Sequence, residues 1–440
     1  MKKNIASALS LGLLSLAACH KDKASLALPA LDSAGISKDI NINLTYRDTQ
    51  DSAKNDQWEV IISEPAGKVL LDTISPVNTA LSAHLHTASY VVNATYVFRG
   101  TTYNTYSVTT YRNVDPRSWT AMPAPYLSLI LGDTISPSER ITYYTHPPYL
   151  SNFEGTDFND IIVSDYTWAL GLAGNPDYQP TDPTYQPGGL LTVYNWAHGG
   201  NPVYTLFPQP GFYNFHTPPA TGNDTVNLTH MDTTIKVNYR VPASYSIFFN
   251  TLLGYADTTN LNRSMTLFIN EYIGGNPYPA DLEYPPTGVQ AYDLDLEASN
   301  SATGEFIAYL NYDTRVPSSV NWLTSADYTL NANLQDSFNI HFNGVKPTFY
   351  DMKWRSGKIE FEMYSAPDDA TLHPYTWFTH LGSKLLNGQS IPSLSPLNLY
   401  FVEATGLPSD FNGYLNAFAT TATPITPPLG TGVIAYSKSW

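Results

Sequence analysis

YVVNATYVFRGTTYNTYSVTT, residues 90–110, decides the fold class of this chain. Two runs rich in β-branched and aromatic residues flank Arg99 and Gly100, and a glycine at the bend between two such runs is typical of a β-hairpin. Residues 58–71 show the same arrangement about a Pro-Ala-Gly turn, and residues 349–364 show it about a Ser-Gly bend. The sequence therefore predicts an all-β protein.

The spacing of the predicted strands divides the chain into units. Strands separated by short turns over residues 38–115 predict a β-sandwich of the immunoglobulin or fibronectin kind. Further on the predicted strands are more widely spaced, and we assign residues 116–300 to a β-rich domain with long Pro, Gly and Tyr loops and residues 301–440 to a C-terminal β-rich domain. Short helices are expected only in residues 322–335 and 378–388. The predicted fold is thus a multi-domain β-sandwich.

The composition agrees with many strands and loops. Charged residues make up 14% of the 440 residues, and 32 Tyr, 33 Pro and 27 Gly supply half-exposed strand positions and frequent turns. The formal net charge of −16 argues against nucleic acid as a partner, because a nucleic-acid surface needs a basic patch. A chain of this length can bury an ample core without disulfides.

The chain has a single cysteine, Cys19. One Cys cannot form an intramolecular disulfide, and no second thiol is present to share a metal. Lys2 and Lys3 form a basic start, and residues 5–18 form an apolar run with the length of a signal-peptide core, too short to span a bilayer. Residues 16–19, LAAC, resemble the lipobox of bacterial lipoproteins, in which an aliphatic and two small residues precede the cysteine.

This resemblance implies a lipid anchor. Cys19 would carry a diacylglycerol thioether and further acyl chains such as palmitate, which together hold a protein durably at a membrane. Residues 1–18 would be removed as the signal peptide, and residues 19–37 would form a tether. His20 stands where enterobacterial lipoproteins of the inner membrane tend to have Asp, so we expect placement at the outer membrane. Exposure at the cell surface, as in Bacteroidota lipoproteins, is a further expectation.

The common catalytic signatures are missing, and no catalytic residue or cofactor is assigned. His84 and His86 share a face of a predicted strand and are two candidate metal ligands, although a zinc site needs three or four. Asp293, Asp295 and Glu297 share a face in the same way and are candidate calcium ligands. In both cases the alternative is a solvated strand face, and we assign no metal site.

Aromatic residues in polar loops are the more informative feature. The clearest long loops are residues 145–150, 175–189 and 274–288, and loops of this length are often functional. Sugar rings stack on Trp and Tyr while amides bind their hydroxyls. The alternative for each ring is that it closes the edge of a β-core. The candidate ligand-binding residues are Trp168, Tyr178, Tyr185, Asn195, Trp196, Tyr278 and Tyr284.

Together these features favour a lipid-anchored extracytoplasmic protein that binds a ligand, and the aromatic residues in its loops favour a glycan as that ligand. In broad plan the chain resembles the surface glycan-binding lipoproteins of Bacteroidota polysaccharide-utilisation systems, which implies the membrane, a glycan and outer-membrane proteins as partners. Two alternatives stay open. One is a structural or adhesin lipoprotein of the envelope, and the other is a glycan-acting hydrolase, which needs only two suitably spaced carboxylates.

Overall fold

A computed structural model of the protein describes a large part of the chain, with most of the gaps before residue 232. Strands predominate in the described residues, so the all-β prediction is confirmed, and the layers are sandwich-like. No helix in this part of the chain is long and apolar enough to cross a membrane. The described residues are 35–44, 56–77, 79–101, 104–118, 150–154, 192–195, 204–207, 212–216, 224–227, 232–255, 258, 264–271, 281–330, 335–368, 371–418 and 428–440.

Twenty-five strands are found in these residues. They are β1 Ile36–Leu44, β2 Gln57–Ser63, β3 Val69–Pro76, β4 Thr79–Thr87, β5 Val92–Gly100, β6 Thr105–Val114, β7 Leu150–Glu154, β8 Thr192–Asn195, β9 Tyr204–Phe207, β10 Phe212–His216, β11 Asp224–Asn227, β12 Asp232–Thr233, β13 Ile235–Asn238, β14 Ser246–Tyr255, β15 Ser264–Glu271, β16 Asp281–Tyr284, β17 Ala291–Asn300, β18 Glu305–Asp313, β19 Tyr328–Leu330, β20 Phe338–Phe342, β21 Phe349–Ser356, β22 Ile359–Ser365, β23 Thr371–Leu372, β24 Ser395–Thr405 and β25 Thr431–Ser439.

Two α-helices and two 3₁₀ turns complete the described elements. The helices are α1, Pro374–Thr379, and α2, Phe411–Phe418, and the turns are Pro116–Ser118 and Ser325–Asp327. Helix α1 only touches the predicted range 378–388, and α2 was not predicted. The predicted range 322–335 contains a 3₁₀ turn in place of an α-helix.

A twelve-stranded sheet forms the centre of the structure. Its strand order is β15-β14-β17-β18-β25-β24-β21-β22-β6-β5-β2-β3. The three predicted hairpins all lie in it, since β2 pairs with β3, β5 with β6, and β21 with β22, each antiparallel. These hairpin predictions are confirmed.

Strand pairing crosses the predicted domain boundaries. Strand β6 runs parallel to β22, with Tyr106 beside Ile359 and Tyr111 beside Tyr364, so strands from residues 38–115 share a sheet with the C-terminal third. Strands β17 and β18 pair across the boundary predicted after Asn300. The structure therefore joins strands of all three predicted units in one sheet. The division of the chain into domains after residues 115 and 300 stays a prediction.

Each face of the central sheet is covered by a separate layer. On the first face, the paired strands β1 and β4 and the helix α2 pack against the sheet through residues such as Ile40, Leu85 and Tyr414. On the second face, the three-stranded sheet β19-β20-β23 and the helix α1 do so. There Phe378 of α1 lies 4.3 Å, centroid to centroid, from Phe361 of β22. Alternating side chains of the same central strands thus enter two different cores.

Most of the described strands between residues 150 and 284 form smaller sheets. Strands β13 and β16 pair with each other, β7 runs parallel to β11, and β8, β9, β10 and β12 form a four-stranded sheet. Tyr284, at the end of β16, packs edge to face on Tyr292 of β17, with the ring centroids 5.3 Å apart. The pair belongs to a third core beside strands β14 and β17.

Candidate functional site

A half-open cavity of about 340 Å³ lies between the second face of the central sheet and the helix α1. We call it the α1 cavity. Its volume is within the range of small-ligand sites, which are concave and combine apolar walls with a few polar groups. The residues that line it are Ile61, Ser63, Pro65, Ala66, Gly67, Val69, Arg112, Met363, Thr371, His373, Thr376, Trp377, His380 and Leu381.

The sheet side of the cavity follows from strand alternation. Ile61 and Ser63 of β2 point away from the first core, which takes their neighbours Val60 and Ile62, and therefore lie on the second face. Arg112 of β6 lies on this face for the same reason, since the ring of its neighbour Tyr111 is in the first core. One wall of the cavity is therefore built on rigid strands.

A tight turn between β2 and β3 forms the rim on this side. The amide of Gly67 donates to the carbonyl of Glu64 at 2.8 Å, and the amide of Glu64 donates to the carbonyl of Lys68 at 2.9 Å. Gly67 has φ +91°, a conformation that side-chain-bearing residues rarely adopt. The turn brings Pro65, Ala66 and Gly67 to the cavity.

Asp336 fixes the start of helix α1 on the opposite side. Its carboxylate accepts hydrogen bonds from the backbone amide of Thr376 at 2.8 Å and from the Thr376 hydroxyl at 3.0 Å. The backbone carbonyl of Asp336 lies 2.7 Å from Nδ1 of His373. Pro374 occupies the first helical turn, where its missing N–H costs nothing. These contacts set the position of His373 at the cavity.

Both imidazoles of the cavity have a defined proton at Nδ1. Nδ1 of His380 lies 2.7 Å from the carbonyl of Thr376, and Nδ1 of His373 contacts the Asp336 carbonyl. A carbonyl oxygen only accepts, so Nδ1 is the donor in each ring. Nε2 of each ring is then an acceptor in the neutral form and a second donor in the protonated form. The two rings can therefore serve either kind of ligand group.

Trp377 provides an indole edge at the cavity. Its Nε1 atom is buried and has no hydrogen-bond acceptor within the described structure. A buried donor without a partner costs about 1–3 kcal/mol, and the folded protein bears this cost at Trp377. The neighbouring Phe378 is in the second core, where Trp354 and Phe361 surround it, and this holds the helix and its tryptophan in place.

Glu59 anchors the segment that follows helix α1. Its carboxylate is fully buried on β2 and accepts hydrogen bonds from Ser383 Oγ at 2.5 Å, the Lys384 amide at 2.7 Å and the Leu385 amide at 3.0 Å. Nζ of Lys384 also lies 2.9 Å from Oδ2 of Asp72 on β3. The two sides of the α1 cavity are thereby tied together just outside it.

The lining of the cavity contains basic side chains and no acidic one. The lining residues include one guanidinium and two imidazoles and contain no carboxylate, whereas the whole chain has 38 acidic and 22 basic residues. Glu64, which stands between the lining residues Ser63 and Pro65, accepts a 2.8 Å hydrogen bond from the Thr87 hydroxyl. This bond and the charge of Lys68 lower the pKa of Glu64.

The structure bears on only two of the predicted site residues. Asn195 is the last residue of β8, in register with Tyr204 of β9. Tyr284 was predicted to present an exposed ring in a loop, and this is wrong, because residues 281–284 form β16 and the side chain is 6% exposed in the third core. The remaining predicted residues, which lie outside the described part of the chain, are Cys19, Trp168, Tyr178, Tyr185, Trp196 and Tyr278.

The two candidate metal groups have other contacts. Nδ1 of His84 lies 2.7 Å from Oδ1 of Asp39 and its Nε2 lies 2.9 Å from the Ser37 hydroxyl, so both ring nitrogens are engaged. Asp293, Asp295 and Glu297 do share one face of β17, and burial raises the pKa of Glu297. No group of three or more His, Cys, Asp or Glu in the described residues is arranged to hold a metal.

A cluster of buried and half-buried ionisable side chains lies on the first face of the sheet. Asp351 of β21 is 1% exposed. Two residues further along the strand, Nζ of Lys353 lies 2.8 Å from Oε1 of Glu362 on β22. Burial and the negative charge of Glu362 raise the pKa of Asp351 well above its ordinary value, while Lys353 acts in the opposite direction. Two carboxylates in one place are what the hydrolase alternative requires, but Asp351 is closed to solvent.

The residues of the α1 cavity were not predicted from the sequence. Residues 373–380 read HPYTWFTH, with a histidine at each end, and residues seven apart lie on one face of a helix. This spacing around a helix-starting proline was a usable signal for His373 and His380. Arg112 had no comparable signal, because its place in the cavity depends on how β6 packs under α1.

Comparisons with known proteins give no relative: no family model, no curated protein and no solved structure matches the chain. Function must therefore be argued from the geometry and chemistry of the site itself.

Proposed function

We propose that this chain is a lipid-anchored extracytoplasmic protein that binds a glycan. The α1 cavity is the observation that carries the proposal, because it combines an indole edge, polar groups able to donate and accept, and enough room for one or two sugar rings. Packing of a sugar ring against the indole of Trp377 and hydrogen bonds to its hydroxyls from His373 and His380 use each of these features.

The anchor is the second part of the proposal. It rests on residues 16–19, LAAC, which end at Cys19 and resemble a lipobox. On this proposal the mature chain is held at the outer membrane through acyl chains on Cys19, and residues 19–37 space the β-structure from the lipid. A glycan at the cell surface and an outer-membrane protein that takes it up are the partners that fit this placement.

A glycan array probed with the purified protein tests the binding function, followed by titration calorimetry with the best oligosaccharide. Replacing Trp377 by Ala should weaken binding by about 1–3 kcal/mol, the range for a packed aromatic anchor. Trp440→Ala is the matched control, because Trp440 is 45% exposed and does not line the cavity. Its affinity should equal that of the wild type.

The outcome also locates the site. Binding that survives Trp377→Ala but is lost in Trp196→Ala would place the glycan on the predicted loops and contradict the assignment to the α1 cavity. If no glycan on the array binds and the purified protein self-associates, the structural or adhesin alternative replaces the proposal.

A further inference from the structure

The outer face of the paired strands β1 and β4 has a row of polar side chains. Ile40 and Leu85 of these strands enter the first core, so the residues that alternate with them point away from the central sheet. All of these outward residues are exposed, so a ligand can reach them without any opening of the fold. They are Ser37, Asp39 and Asn41 on β1, and Ser82, His84 and His86 on β4.

Two hydrogen bonds join three of these side chains in a line. Nδ1 of His84 lies 2.7 Å from Oδ1 of Asp39, and Nε2 of the same ring lies 2.9 Å from Oγ of Ser37. The strand register produces this line, because Asp39 is directly opposite His84 and Ser37 is on the diagonal. Gly35, with φ +70°, lies so close to the end of β4 that a Cβ there would be 2.6 Å from the carbonyl oxygen of Thr87. The backbone therefore fixes the spacing of the three groups.

The partners of His84 define where its proton lies. A carboxylate only accepts, so Nδ1 donates to Asp39, and Nε2 of the neutral ring is then an acceptor for the Ser37 hydroxyl. A serine that donates to an imidazole, whose other nitrogen is held by a carboxylate, is the arrangement that activates a serine oxygen for attack on an acyl carbon. The geometry thus supplies a nucleophile, a base and a group that orients the base.

Ser82 shows what is particular to Ser37. It is exposed on the same face, and its hydroxyl donates to Oδ1 of Asn41 at 2.8 Å. An amide oxygen is not a base and cannot take the hydroxyl proton during an attack. Of these two serines, only Ser37 has a base as its hydrogen-bond acceptor, so Ser82 is an internal control for reactivity.

His86 is the direct partner of Ser37 in the β1–β4 ladder. Both side chains lie on the outer face, and Cβ atoms of directly opposite residues are about 4.5–5.5 Å apart. Even a neutral imidazole has one N–H group. A ring N–H of His86 is therefore placed near the oxygen of an acyl group that reacts with Ser37, where a donor stabilises the developing negative charge.

We propose that Ser37, His84 and Asp39 form an esterase site, with His86 as the donor to the oxyanion and carboxylic esters of small acyl groups, such as acetyl esters, as substrates. The acyl group is small because this open strand face is separate from the α1 cavity, whose lining contains none of these residues. The site lies on the layer that covers the first face of the central sheet, so it does not depend on the proposed glycan site on the second face.

The reaction needs only the ester and water. Oγ of Ser37 attacks the ester carbon while its proton passes to Nε2 of His84, and the alcohol leaves with that proton. Water then attacks the acyl-serine, its proton passes to Nε2, and the acid leaves as Oγ of Ser37 takes the proton back. The products are one alcohol and one carboxylic acid. Asp39 touches no substrate and acts as a positioning residue for His84.

A biotinylated fluorophosphonate tests the nucleophile in the purified protein. Reaction forms a bond between Oγ of Ser37 and phosphorus, breaks the P–F bond and sends the hydroxyl proton to His84. Tandem mass spectrometry should locate the label on Ser37. Labelling should be absent in Ser37→Ala, about a hundredfold slower in His84→Ala and unchanged in Ser82→Ala. All three side chains are exposed, so each variant should melt as the wild type does.

Two conservative variants separate chemistry from structure. Asp39→Asn should slow labelling about tenfold or more, because an amide no longer holds the proton of His84 at Nδ1, and Asp39→Glu should recover part of the rate. His86→Ala should slow hydrolysis of p-nitrophenyl acetate about tenfold or more, and His86→Gln, which keeps a side-chain N–H donor, should recover part of it. The octanoate ester should be hydrolysed no faster than the acetate.

The results that would overturn the proposal are distinct. A wild-type protein without label on Ser37, equal labelling of Ser37 and Ser82, or a labelling rate that is unchanged in His84→Ala would each show that Ser37 is an ordinary surface serine. Label on Ser37 without hydrolysis of p-nitrophenyl acetate would overturn the esterase activity. None of these results bears on glycan binding at the α1 cavity.

Discussion

Oγ of Ser383 donates a 2.5 Å hydrogen bond to Oε2 of Glu59, a residue 324 positions earlier in the chain. Two backbone amides, those of Lys384 and Leu385, complete the shell of this buried carboxylate. The contact joins β2, on the sheet side of the α1 cavity, to the segment that leaves helix α1. A buried carboxylate is tolerated here because three donors replace the water it has lost.

Replacing Glu59 by Gln should therefore destabilise the protein. The amide has one acceptor oxygen, and its NH₂ group would face backbone N–H groups that need an acceptor. We expect a loss of about 2–3 kcal/mol in the free energy of unfolding, measured by urea denaturation. Ser383→Ala leaves the carboxylate two donors but also removes the acceptor of the Leu386 amide, so it should cost about 1–2 kcal/mol. Equal, small losses in both variants would contradict the role of Glu59 as an anchor.

Two tryptophans offer a matched pair for the unpaired indole. Nε1 of Trp322 donates to the carbonyl of Arg240 at 2.8 Å, whereas Nε1 of Trp377 has no acceptor in the described residues. At both sites the replacement of Trp by Phe removes the N–H group and a similar volume of the ring. Thermal and urea unfolding should show Trp322→Phe to be less stable than Trp377→Phe by about 0.5–1.5 kcal/mol. The reverse order would show that the Trp377 N–H is satisfied in solution.

The local hairpins could be predicted because each depends on a few neighbouring residues. In residues 90–110 the glycine at the bend and the branched and aromatic arms lie in one window, and β5 and β6 formed as expected. The parallel ladder between β6 and β22 brings together residues about 250 positions apart. No local pattern specifies which strand edge meets which, because any two such edges offer the same backbone groups. The order of the strands in the sheet could therefore not be predicted from the sequence.

The site was harder to predict than the strands for a related reason. A tyrosine beside Pro and Gly, such as Tyr284, looks exposed in sequence, but its environment depends on which layer covers its strand. Here β17 brings Tyr292 against it and the ring becomes core. Arg112 shows the opposite case, because packing of α1 over β6 makes a strand residue part of a cavity.

Cys19→Ser tests the proposed lipid anchor. A serine hydroxyl cannot form the thioether, so the variant should take up no labelled palmitate when cells are grown with it and should appear in the soluble fraction. Ala18 occupies the position before the cleavage site, and Ala18→Gly, which keeps a small residue there, is the control that should retain the label. Label that persists on Cys19→Ser would remove the basis for the anchor.

A fragment of residues 38–115 tests whether the predicted N-terminal sandwich folds alone. Without the C-terminal part, the edge of β6 from Tyr106 to Tyr111 loses its partner β22, and the Glu59 carboxylate loses its donors. An unpaired sheet edge and a buried unpaired charge both oppose an independent fold. We expect no cooperative thermal transition by circular dichroism at 218 nm, a wavelength that reports β-structure. A sharp transition would support the separate domain.

Asp351 should make stability fall as the pH rises. Burial and Glu362 raise its pKa in the folded protein, so between the unfolded pKa, about 3.9, and the raised value the folded state holds a proton that the unfolded state releases. The stabilisation from this proton is complete below the unfolded pKa and is lost as the pH rises through the folded one. Asp351→Asn resembles the protonated form. Its free energy of unfolding in urea, relative to that of the wild type, should therefore grow by up to about 1.4 kcal/mol per pH unit across this window.

Asp368→Asn, at an exposed carboxylate, controls for loss of surface charge. A constant difference between wild type and Asp351→Asn from pH 4 to pH 8 would mean that Lys353 keeps the carboxylate ionised throughout.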